Sequence, residues 1–442
     1  FASAFSGYTI VGVTGDAYRT GYQSLMWVAS MQMIFTSMVL IGPRFHRLAK
    51  IHSYVSPNEF VQHRYDSKLL RVLVSIATVV GSMFYIIGQF KAIGQSAVGV
   101  SNGSIPAVWG AVALGVVMLI YEALGGMRSV AWNDAIQGVL LVFAFLSLVG
   151  VGVVEFEGLI KLAKDLPRAM LIVPPAEEKL AFLTFAMLGL AFPCYPHIMQ
   201  RVFAVQNEKK FRIGVGFMFW ATFLAYIPTI ATGLIGKVRH PNVSDEDSDQ
   251  MFSIITSDLL EIGGFSYAIA TMIVASTVAA IMSTTDSLLM GCASVIALDL
   301  IAPFRQTMFA QRTLLIISQV ITVLLVGIGV VFGTLIVFDI KSLYVLQSAI
   351  LLQCLPAYLL GAYWISLRYE AVLAGFIVGQ VVSVTMHIFA PAPGGLNVAF
   401  FGIVANIVVL LATHFILEYL IKTVRRYKFE LHEGVKGIYK DP

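Results

Sequence analysis

Charge is scarce in this sequence. Asp, Glu, Lys and Arg make up only 12% of its 442 residues, whereas 58% of the residues are hydrophobic. A soluble globular domain carries about twice as much charge, and strands that alternate polar and apolar residues, as in a membrane β-barrel, are absent. The composition excludes an ordinary soluble protein and gives no reason to expect a nucleic-acid partner. It predicts a polytopic helical protein of the lipid bilayer, with room for roughly a dozen spans of about 20 residues.

Catalytic and metal-binding motifs are missing as well. The sequence contains no GxSxG, Walker or HExxH motif. Its three cysteines, Cys194, Cys292 and Cys354, lie in apolar segments and have no spacing typical of a metal site. We therefore expect a protein that is not an enzyme.

Long apolar segments dominate the chain instead. Hydropathy and length place twelve of them at 1–14, 22–42, 70–99, 105–122, 133–155, 181–204, 211–236, 264–300, 312–335, 342–365, 371–390 and 396–421. With the loop at 44–69 in the cytoplasm, twenty Lys and Arg residues fall on the cytoplasmic side and eight on the outer side. Because positive charge favours the cytoplasmic side, this orientation and a cytoplasmic C-terminus are predicted.

The outer loop that follows the seventh segment is acidic. It contains four carboxylates within five residues, at Asp245, Glu246, Asp247 and Asp249. Clusters of like charge are typical of solvated surfaces, so we expect these side chains to face water.

Two of the apolar segments carry residues that interrupt a helix. The first contains Gly7 and Gly12, and the sixth contains Pro193 and Pro196. A proline removes a main-chain donor and breaks a helix within the membrane. The two segments are five apart, so they run in opposite directions. This pattern indicates an inverted repeat of five helices each, with broken helices at the bilayer midplane.

The eighth segment carries a stripe of small and hydroxyl side chains. Helical spacing brings Ser276, Ala280, Ser283, Thr284 and Ser287 to one face. Such a stripe suits close packing of helices, and it equally suits a hard cation that prefers neutral oxygen ligands. The residues alone leave both interpretations open.

Four stretches together resemble the sodium:solute symporter family. They are ASAFSG at 2–7, GGMRSVAWNDAIQG at 125–138, PHIMQR at 196–201 and AAIMST at 279–284. The resemblance extends over essentially the whole chain. In this family one further helix precedes the core, and we expect it to lie upstream of Phe1. The resemblance implies an all-α, leucine-transporter-like fold: a 5+5 inverted repeat of transmembrane helices plus two peripheral C-terminal helices.

The resemblance also implies a Na⁺ site between the first and eighth core helices. Its ligands would be the main-chain carbonyls of Ala2, Phe5 and Ala280 and the hydroxyls of Ser283 and Thr284. An interrupted helix frees carbonyl groups, and two adjacent hydroxyls complete a neutral oxygen cage.

Two acidic residues stand out inside the apolar segments. Asp134 matches an acidic residue that the family uses in sodium passage or at a second sodium site, and it equally fits a carboxylate stabilised at a helix N-terminus. The position of Asp286 is not occupied by an acidic residue in the proline branch of the family. Asp286 could bind an ion, exchange a proton, or pair with a base such as Lys91, which itself could extend to the interface.

The pocket for a solute is expected beside the two interruptions. Compared with the proline branch, Tyr8 replaces a Trp, Leu188 and Phe192 replace a Trp and a Tyr, and Ala4 replaces an Asp. The pocket would thus be aromatic and less polar than in that branch. The candidates for solute contact are Tyr8, Phe192, Pro196, Gln89 and Gln347, with Tyr195 as a gate.

These features predict a sodium-coupled symporter in the plasma membrane that imports a small organic solute by alternating access. The exposed amide ends of a broken helix favour a carboxylate-bearing solute, such as an amino acid, a monocarboxylate or pantothenate. Proton coupling, a solute sensor and a membrane enzyme stay open as alternatives. The expected division is 1–156 and 157–365 for the two repeats, 366–424 for the peripheral helices, and 425–442 for a cytoplasmic tail.

Overall fold

The computed structural model describes residues 5–154, 164–171, 176–304, 311–390 and 393–420. Within these ranges the secondary structure is entirely helical. The α-helices are α1 (Val13–Thr20), α2 (Met26–His52), α3 (Pro57–Tyr65), α4 (Lys68–Val100), α5 (Ala107–Val154), α6 (Arg168–Leu171), α7 (Ala176–Ala186), α8 (Pro196–Ala204), α9 (Glu208–Arg239), α10 (Met251–Ile262), α11 (Gly264–Val295), α12 (Gln311–Leu335), α13 (Ile340–Leu352), α14 (Leu355–Tyr363), α15 (Tyr369–Phe389) and α16 (Val398–Leu420).

Short helices of other types connect these elements. Two are π-helical, Tyr8–Gly12 and Ile296–Ile301. Five are 3₁₀-helical: Gly21–Leu25, Met187–Cys194, Ser248–Gln250, Ala302–Phe304 and Pro393–Gly395.

Among the described residues, eight helical stretches are long and apolar enough to cross a membrane, and a bent pair brings the number to nine. The fourth and fifth predicted segments correspond to two shorter apolar stretches of α5, Ala107–Glu122 and Trp132–Leu148. The loop predicted between them is helical, since α5 continues through it. The gap between the two apolar segments contains Gly125 and Gly126, which a helix tolerates at a cost of about 1 kcal/mol each.

Helix α2 also extends beyond its predicted end. It continues past Pro43 to His52, whereas the apolar segment ends at residue 42. Tertiary contacts hold the additional turns: Arg44 donates to the carbonyl of Ala362 over 3.1 Å, and the ring of His46 contacts the carbonyl of Val202 over 2.9 Å. Such contacts override the local preference of a charged, proline-containing sequence.

The described residues contain non-helical backbone at the places where both interruptions are predicted. Phe5 and Ser6 are non-helical, and a π-helical turn leads from Tyr8 into α1. In the sixth segment, Lys179–Cys194 and Pro196–Ala204 meet at 56°. Tyr195 between them is extended, with φ −76° and ψ 122°.

The loop after α9, which the charge distribution predicts to lie outside, differs from its prediction. It contains α10, whose apolar residues Met251, Phe252 and Ile255 are buried. Asp249, expected in a solvated acidic surface, is only 1% exposed, although Asp245 and Asp247 do face water. The expectation for Asp249 was wrong because α1 and the start of α13 cover this side chain: a Cβ on Gly15 would lie 2.7 Å from its Oδ1, and the amide of Ile340 donates to its Oδ2.

Close main-chain contacts position the interrupted segments. A Cβ on Gly189 would lie 1.9 Å from the carbonyl oxygen of Ser30 in α2, and a Cβ on Gly233 in α9 would lie 2.3 Å from the carbonyl oxygen of Thr14 in α1. Small residues at such crossings allow membrane helices to approach each other closely. Helices α15 and α16 pack on one another at the edge of the bundle and reach it mainly through α13 and α14.

We predict that Gly189→Ala lowers the free energy of unfolding by about 2–3 kcal/mol, because the methyl group would collide with main-chain atoms that cannot move independently. Gly214→Ala is the matched control, since a Cβ at Gly214 meets no atom within 4 Å. Thermal unfolding in detergent, followed by size-exclusion chromatography, measures both variants. Equal stability of the two proteins would contradict the close contact.

Candidate functional site

A small cavity lies between the two interrupted segments. It is lined by Ser6, Tyr8, Thr9, Trp27, Met31, Ile34, Tyr85, Leu188, Gly189, Phe192, Tyr195, Tyr226, Tyr344 and Ser348. Its volume is about 30 Å³, which is room for about two water molecules. A larger molecule can enter only if the walls separate.

Aromatic rings form most of the cavity wall. The centroid of the Tyr8 ring lies 4.7 Å from that of Tyr85 and 5.8 Å from that of Tyr344. The rings of Trp27 and Tyr344 lie 4.8 Å apart, and those of Tyr85 and Tyr195 lie 5.6 Å apart. Tilted and edge-on contacts of this kind make a firm apolar wall with a few polar atoms at its surface.

The start of the first helix is stabilised from outside the segment. The amide of Gly7 donates to Oε1 of Gln89 in α4 over 2.9 Å, and the carbonyl of Ser6 accepts from the amide of Thr9 over 2.9 Å. A buried main-chain donor without a partner would be costly in the bilayer, so Gln89 replaces the acceptor that the interrupted helix does not provide.

A second glutamine contacts the same turn from α13. The hydroxyl of Tyr8 lies 3.2 Å from Oε1 of Gln347 and 3.2 Å from the carbonyl oxygen of Phe84. The Nε2 groups of both Gln89 and Gln347 are buried without a hydrogen-bond partner in the described part of the chain. Neither glutamine is among the residues that line the cavity, but both contact Tyr8 or its neighbour Gly7, and their two amide donors are available for a further acceptor.

The second interruption contributes the opposite wall. Phe192 and Tyr195 line the cavity, and their ring centroids are 6.1 Å apart. Pro196 does not line it but occupies the first position of α8, where a proline needs no amide partner. Sequence reasoning did not identify Trp27, Tyr85 or Tyr344, although Tyr344 and Ser348 are four residues apart and so share one face of α13.

The hydroxyl stripe of α11 is fully buried. Ala280, Ser283 and Thr284 are each 0% exposed, and the Oγ1 of Thr284 has no hydrogen-bond partner among the described residues. A Cβ on Gly7 would lie 3.3 Å from Cγ1 of Ile281, so α11 packs against the start of the first helix at this height. Phe5 is likewise buried, and Ala2 lies outside the described residues.

Asp134 belongs to a polar cluster that joins three helices. Its Oδ2 lies 2.5 Å from a guanidinium nitrogen of Arg201 in α8, and its Oδ1 accepts from the hydroxyl of Ser283. The guanidinium also lies 2.5 Å from the hydroxyl of Ser287. The sequence marked Arg201 only as a cytoplasmic positive charge. Its position next to the interruption, in PHIMQR, was the available signal for a role in the site.

The structure does not bring Lys91 and Asp286 together as partners. Lys91 donates to the carbonyl of Ile336 over 3.2 Å, near the outer end of α4. Asp286 is 0% exposed, and neither of its carboxyl oxygens has a hydrogen-bond partner in the ranges that the structure covers. A carboxyl group that is buried without a partner inside a membrane span is unusual, and Asp286 is therefore a candidate for function.

The other hydroxyls of the stripe pack helices together. The Oγ of Ser276 donates to the carbonyl of Leu140 in α5 over 3.1 Å. Ser283 and Ser287 also bridge neighbouring helices, as described above. Close packing therefore accounts for part of the stripe, and Thr284 is the member that packing leaves without a partner.

A family model described as the sodium:solute symporter family matches residues 1–379. The chain belongs to this family. The resemblance carried by the four sequence stretches is thereby confirmed, and membership in this family points to an integral membrane protein that acts as a transporter.

Relatives in the family are distant. Sodium/proline symporter 2 of Staphylococcus saprophyticus is 22% identical over an alignment that covers 100% of this chain and 88% of that protein. The sodium/pantothenate symporter of Escherichia coli is 24% identical, with 86% of this chain and 79% of that protein covered. The osmoregulated proline transporter OpuE of Bacillus subtilis is 25% identical, with coverage of 86% and 77%.

Solved structures share the fold. A Na⁺-coupled sialic acid symporter in a substrate-bound outward-open state has a TM-score of 0.74 at 17% identity, covering 95% of this chain and 88% of that one. MhsT in complex with L-phenylalanine has a TM-score of 0.57 at 14% identity, covering 93% and 96%. The predicted leucine-transporter-like fold is confirmed.

We predict that Arg201→Ala lowers the free energy of unfolding by about 1–3 kcal/mol, because it leaves the carboxylate of Asp134 partly buried without its cation. Adding Asp134→Asn should restore part of the loss, which a double-mutant cycle of thermal unfolding in detergent measures. Arg212→Ala is the control: its exposed pair with Glu208 should contribute at most about 0.5 kcal/mol. Additive losses for Asp134 and Arg201 would contradict the pairing.

Proposed function

We propose that this transporter couples the inward movement of Na⁺ to the uptake of a small organic solute by alternating access. The observation that carries the proposal is the hydroxyl of Thr284, buried without a hydrogen-bond partner on the helix that packs against the interrupted first segment. A buried polar atom without a partner costs about 1–3 kcal/mol. A bound cation would remove that cost.

In the proposed sodium site, the main-chain carbonyls of Ala2, Phe5 and Ala280 and the hydroxyls of Ser283 and Thr284 are the ligands. The hydroxyl of Ser283 donates a hydrogen bond to Asp134, so the lone pairs of the hydroxyl oxygen remain free to face a cation. All five ligands are neutral, and such a cage can bind Na⁺ and also release it. The carboxylate of Asp134 lies one hydrogen bond from the cage and supplies negative charge along the ion path or at a second ion position.

The proposed solute is small and bears a carboxylate. Its support is the pairing of aromatic walls with two buried amide donors, the Nε2 groups of Gln89 and Gln347. The rings of Tyr8 and Phe192 would contact an apolar body, with Pro196 fixing the adjacent helix. Proline, another amino acid, a monocarboxylate or pantothenate fits this description, and Tyr195 would act as the gate on the cytoplasmic side.

The proposed orientation places the C-terminus in the cytoplasm of a cell whose plasma membrane supplies the driving force. Each positive charge that moves inward gains about 2.3 kcal/mol per 100 mV, in addition to the sodium gradient. The two repeats, at 1–156 and 157–365, would rock against each other around the site.

We predict that Thr284→Ala raises the sodium concentration for half-maximal uptake by about tenfold or more, the effect of losing roughly 1.4 kcal/mol of ion binding. Thr285→Ala is the matched control. Thr285 is equally buried, but its hydroxyl donates to the carbonyl of Ile281 in its own helix over 2.6 Å, so its loss should leave sodium dependence unchanged.

The measurements are radiolabelled uptake into proteoliposomes, screened over amino acids, monocarboxylates and pantothenate with and without a sodium gradient, and the rise in melting temperature caused by sodium alone. The second readout needs no solute. If sodium stabilised the parent and Thr284→Ala to the same extent, the proposed site would be wrong.

Proton coupling is the second candidate, and the buried, unpartnered carboxyl of Asp286 favours it. Under sodium coupling, Asp286→Asn should retain sodium-driven uptake. Uptake that follows a pH gradient without sodium, and that is lost in Asp286→Asn, would replace the sodium proposal by this one. Binding of solute with no uptake under either gradient would indicate a sensor.

A further inference from the structure

A partly buried ion cluster lies at the end of α1 that is predicted to be outer. Arg19 places one guanidinium nitrogen 2.7 Å from Oδ2 of Asp339, at the start of α13, and the other 3.6 Å from Oδ1 of Asp249 in the turn before α10. That second nitrogen also lies 2.5 Å from the hydroxyl of Ser248. One arginine thus connects three parts of the chain that are distant in sequence.

A second cation strengthens the connection between α1 and α13. Lys341 lies 2.8 Å from Oδ1 of Asp16, and the indole of Trp27 donates to Oδ2 of Asp16 over 2.9 Å. Trp27 also lines the cavity. The cluster is therefore continuous with the cavity wall through one side chain.

The cluster closes the seam that leads to the cavity. The π-helical turn Tyr8–Gly12, which leads into α1, packs against α13: Tyr8 faces Tyr344 at 5.8 Å, and a Cβ on Gly12 would lie 2.7 Å from the side chain of Ile340. Beyond Gly12 and Ile340, at the end of the seam away from the cavity, Arg19 contacts Asp339. The seam between these helices thus begins at the cavity and ends at the ion cluster, so separating α1 from α13 requires breaking the pairs of Arg19 and Lys341.

Asp249 is the least neutralised carboxylate in the cluster. It is 1% exposed, its Oδ2 accepts from the amide of Ile340 over 3.1 Å, and its Oδ1 has only the 3.6 Å contact with Arg19. Burial raises the pKa of Asp249 to about 6, although Arg19 opposes the shift; the carboxylate of Asp339 adds to it and Lys91 lowers it. The charged groups that surround this carboxyl are Arg19, Asp16, Asp339, Lys341 and Lys91.

We propose that Arg19, Asp249 and Asp339 form a latch that closes the outer entrance to the cavity, and that a proton on Asp249 holds this latch shut.

The sign of the pH effect follows from the two states. In the closed form Asp249 is buried, and its pKa is raised to about 6. Opening the seam admits water, and the pKa should return toward its ordinary value of about 4. The closed form therefore binds the proton more tightly than the open form, so acid on the outer side favours closure and neutral pH favours opening.

The inference rests on the proposed function only in taking the cavity as the solute site. Its test therefore uses neither sodium nor solute. If the latch worked as described but the protein showed no sodium-driven uptake, only the proposed function would be contradicted. If uptake were driven by sodium but the latch did not work as described, only the latch would be contradicted.

The experiment measures access to the cavity from outside. Ser348, which lines the cavity, is replaced by cysteine, and right-side-out membrane vesicles are treated with a membrane-impermeant cationic methanethiosulfonate reagent. Ser104→Cys, in an exposed outer loop, serves as the reference, because it corrects for the pH dependence of the thiol reaction itself. The parent without an added cysteine gives the background from Cys194, Cys292 and Cys354.

Removing either partner of the closest pair should open the latch. Arg19→Gln and Asp339→Asn are both expected to label several-fold faster than the parent. Arg19→Gln removes a positive charge and Asp339→Asn removes a negative one. If the variants acted only through the local electrostatic potential on the cationic reagent, one labelling rate would rise and the other would fall. Arg239→Gln, on the same side but paired with Asp258, is the control and should not change the rate.

Asp249→Asn tests the proton. In the parent, the corrected rate should fall several-fold between about pH 7.5 and about pH 5, on either side of the pKa of Asp249. Asp249→Asn should label at one slow rate at both pH values. A pH dependence that survives in Asp249→Asn, or equal rates for the parent, Arg19→Gln and Asp339→Asn, would overturn the proposal. The same holds for a parent whose labelling is faster in acid.

Discussion

Main-chain hydrogen bonding inside the bilayer is the constraint on which the site depends. An interrupted helix leaves amide and carbonyl groups without their usual partners, and hydrocarbon offers none. In the first segment Gln89 reaches across from α4 to accept from Gly7. In the sixth, Pro196 has no amide hydrogen that would need an acceptor, and the amide of Tyr195 donates to the carbonyl of Phe192 over 3.2 Å. These arrangements satisfy the main-chain groups where the two helices are interrupted, and the cavity lies between the two interruptions.

Charged side chains in this protein hold helices together at the two ends of the bundle. The cluster around Arg19 does so at one end. At the opposite end, Arg71 of α4 lies 2.5 Å from Oδ1 of Asp299, and Oδ2 of Asp299 accepts from the hydroxyl of Ser56 before α3. Each cluster links elements from both halves of the chain. Both are formed in the same structure, which fits the small volume of the cavity between them.

The sequence carried the parts of the fold that depend on local signals. Apolar length located the spans, Pro193 and Pro196 located the second interruption, and the spacing of Ser283 and Thr284 located a buried polar face of α11. The partners of Asp134 and the burial of Asp249 were not predictable in the same way. Arg201 follows Asp134 by 67 residues, and α1 and α13, which cover Asp249, are distant from it in sequence. These contacts join side chains that are distant in the sequence, and no periodic pattern of residues predicts such contacts.

The contact between Gly189 and Ser30 has a mechanical consequence. Main-chain atoms of Met187–Cys194 and α2 approach each other with no side chain between them, so neither element can slide without a collision. The half-helix and α2 would then travel as a single rigid piece during any cycle. Relative movement of the helices would then occur at interfaces formed by flexible side chains. The seam between α1 and α13 is one such interface.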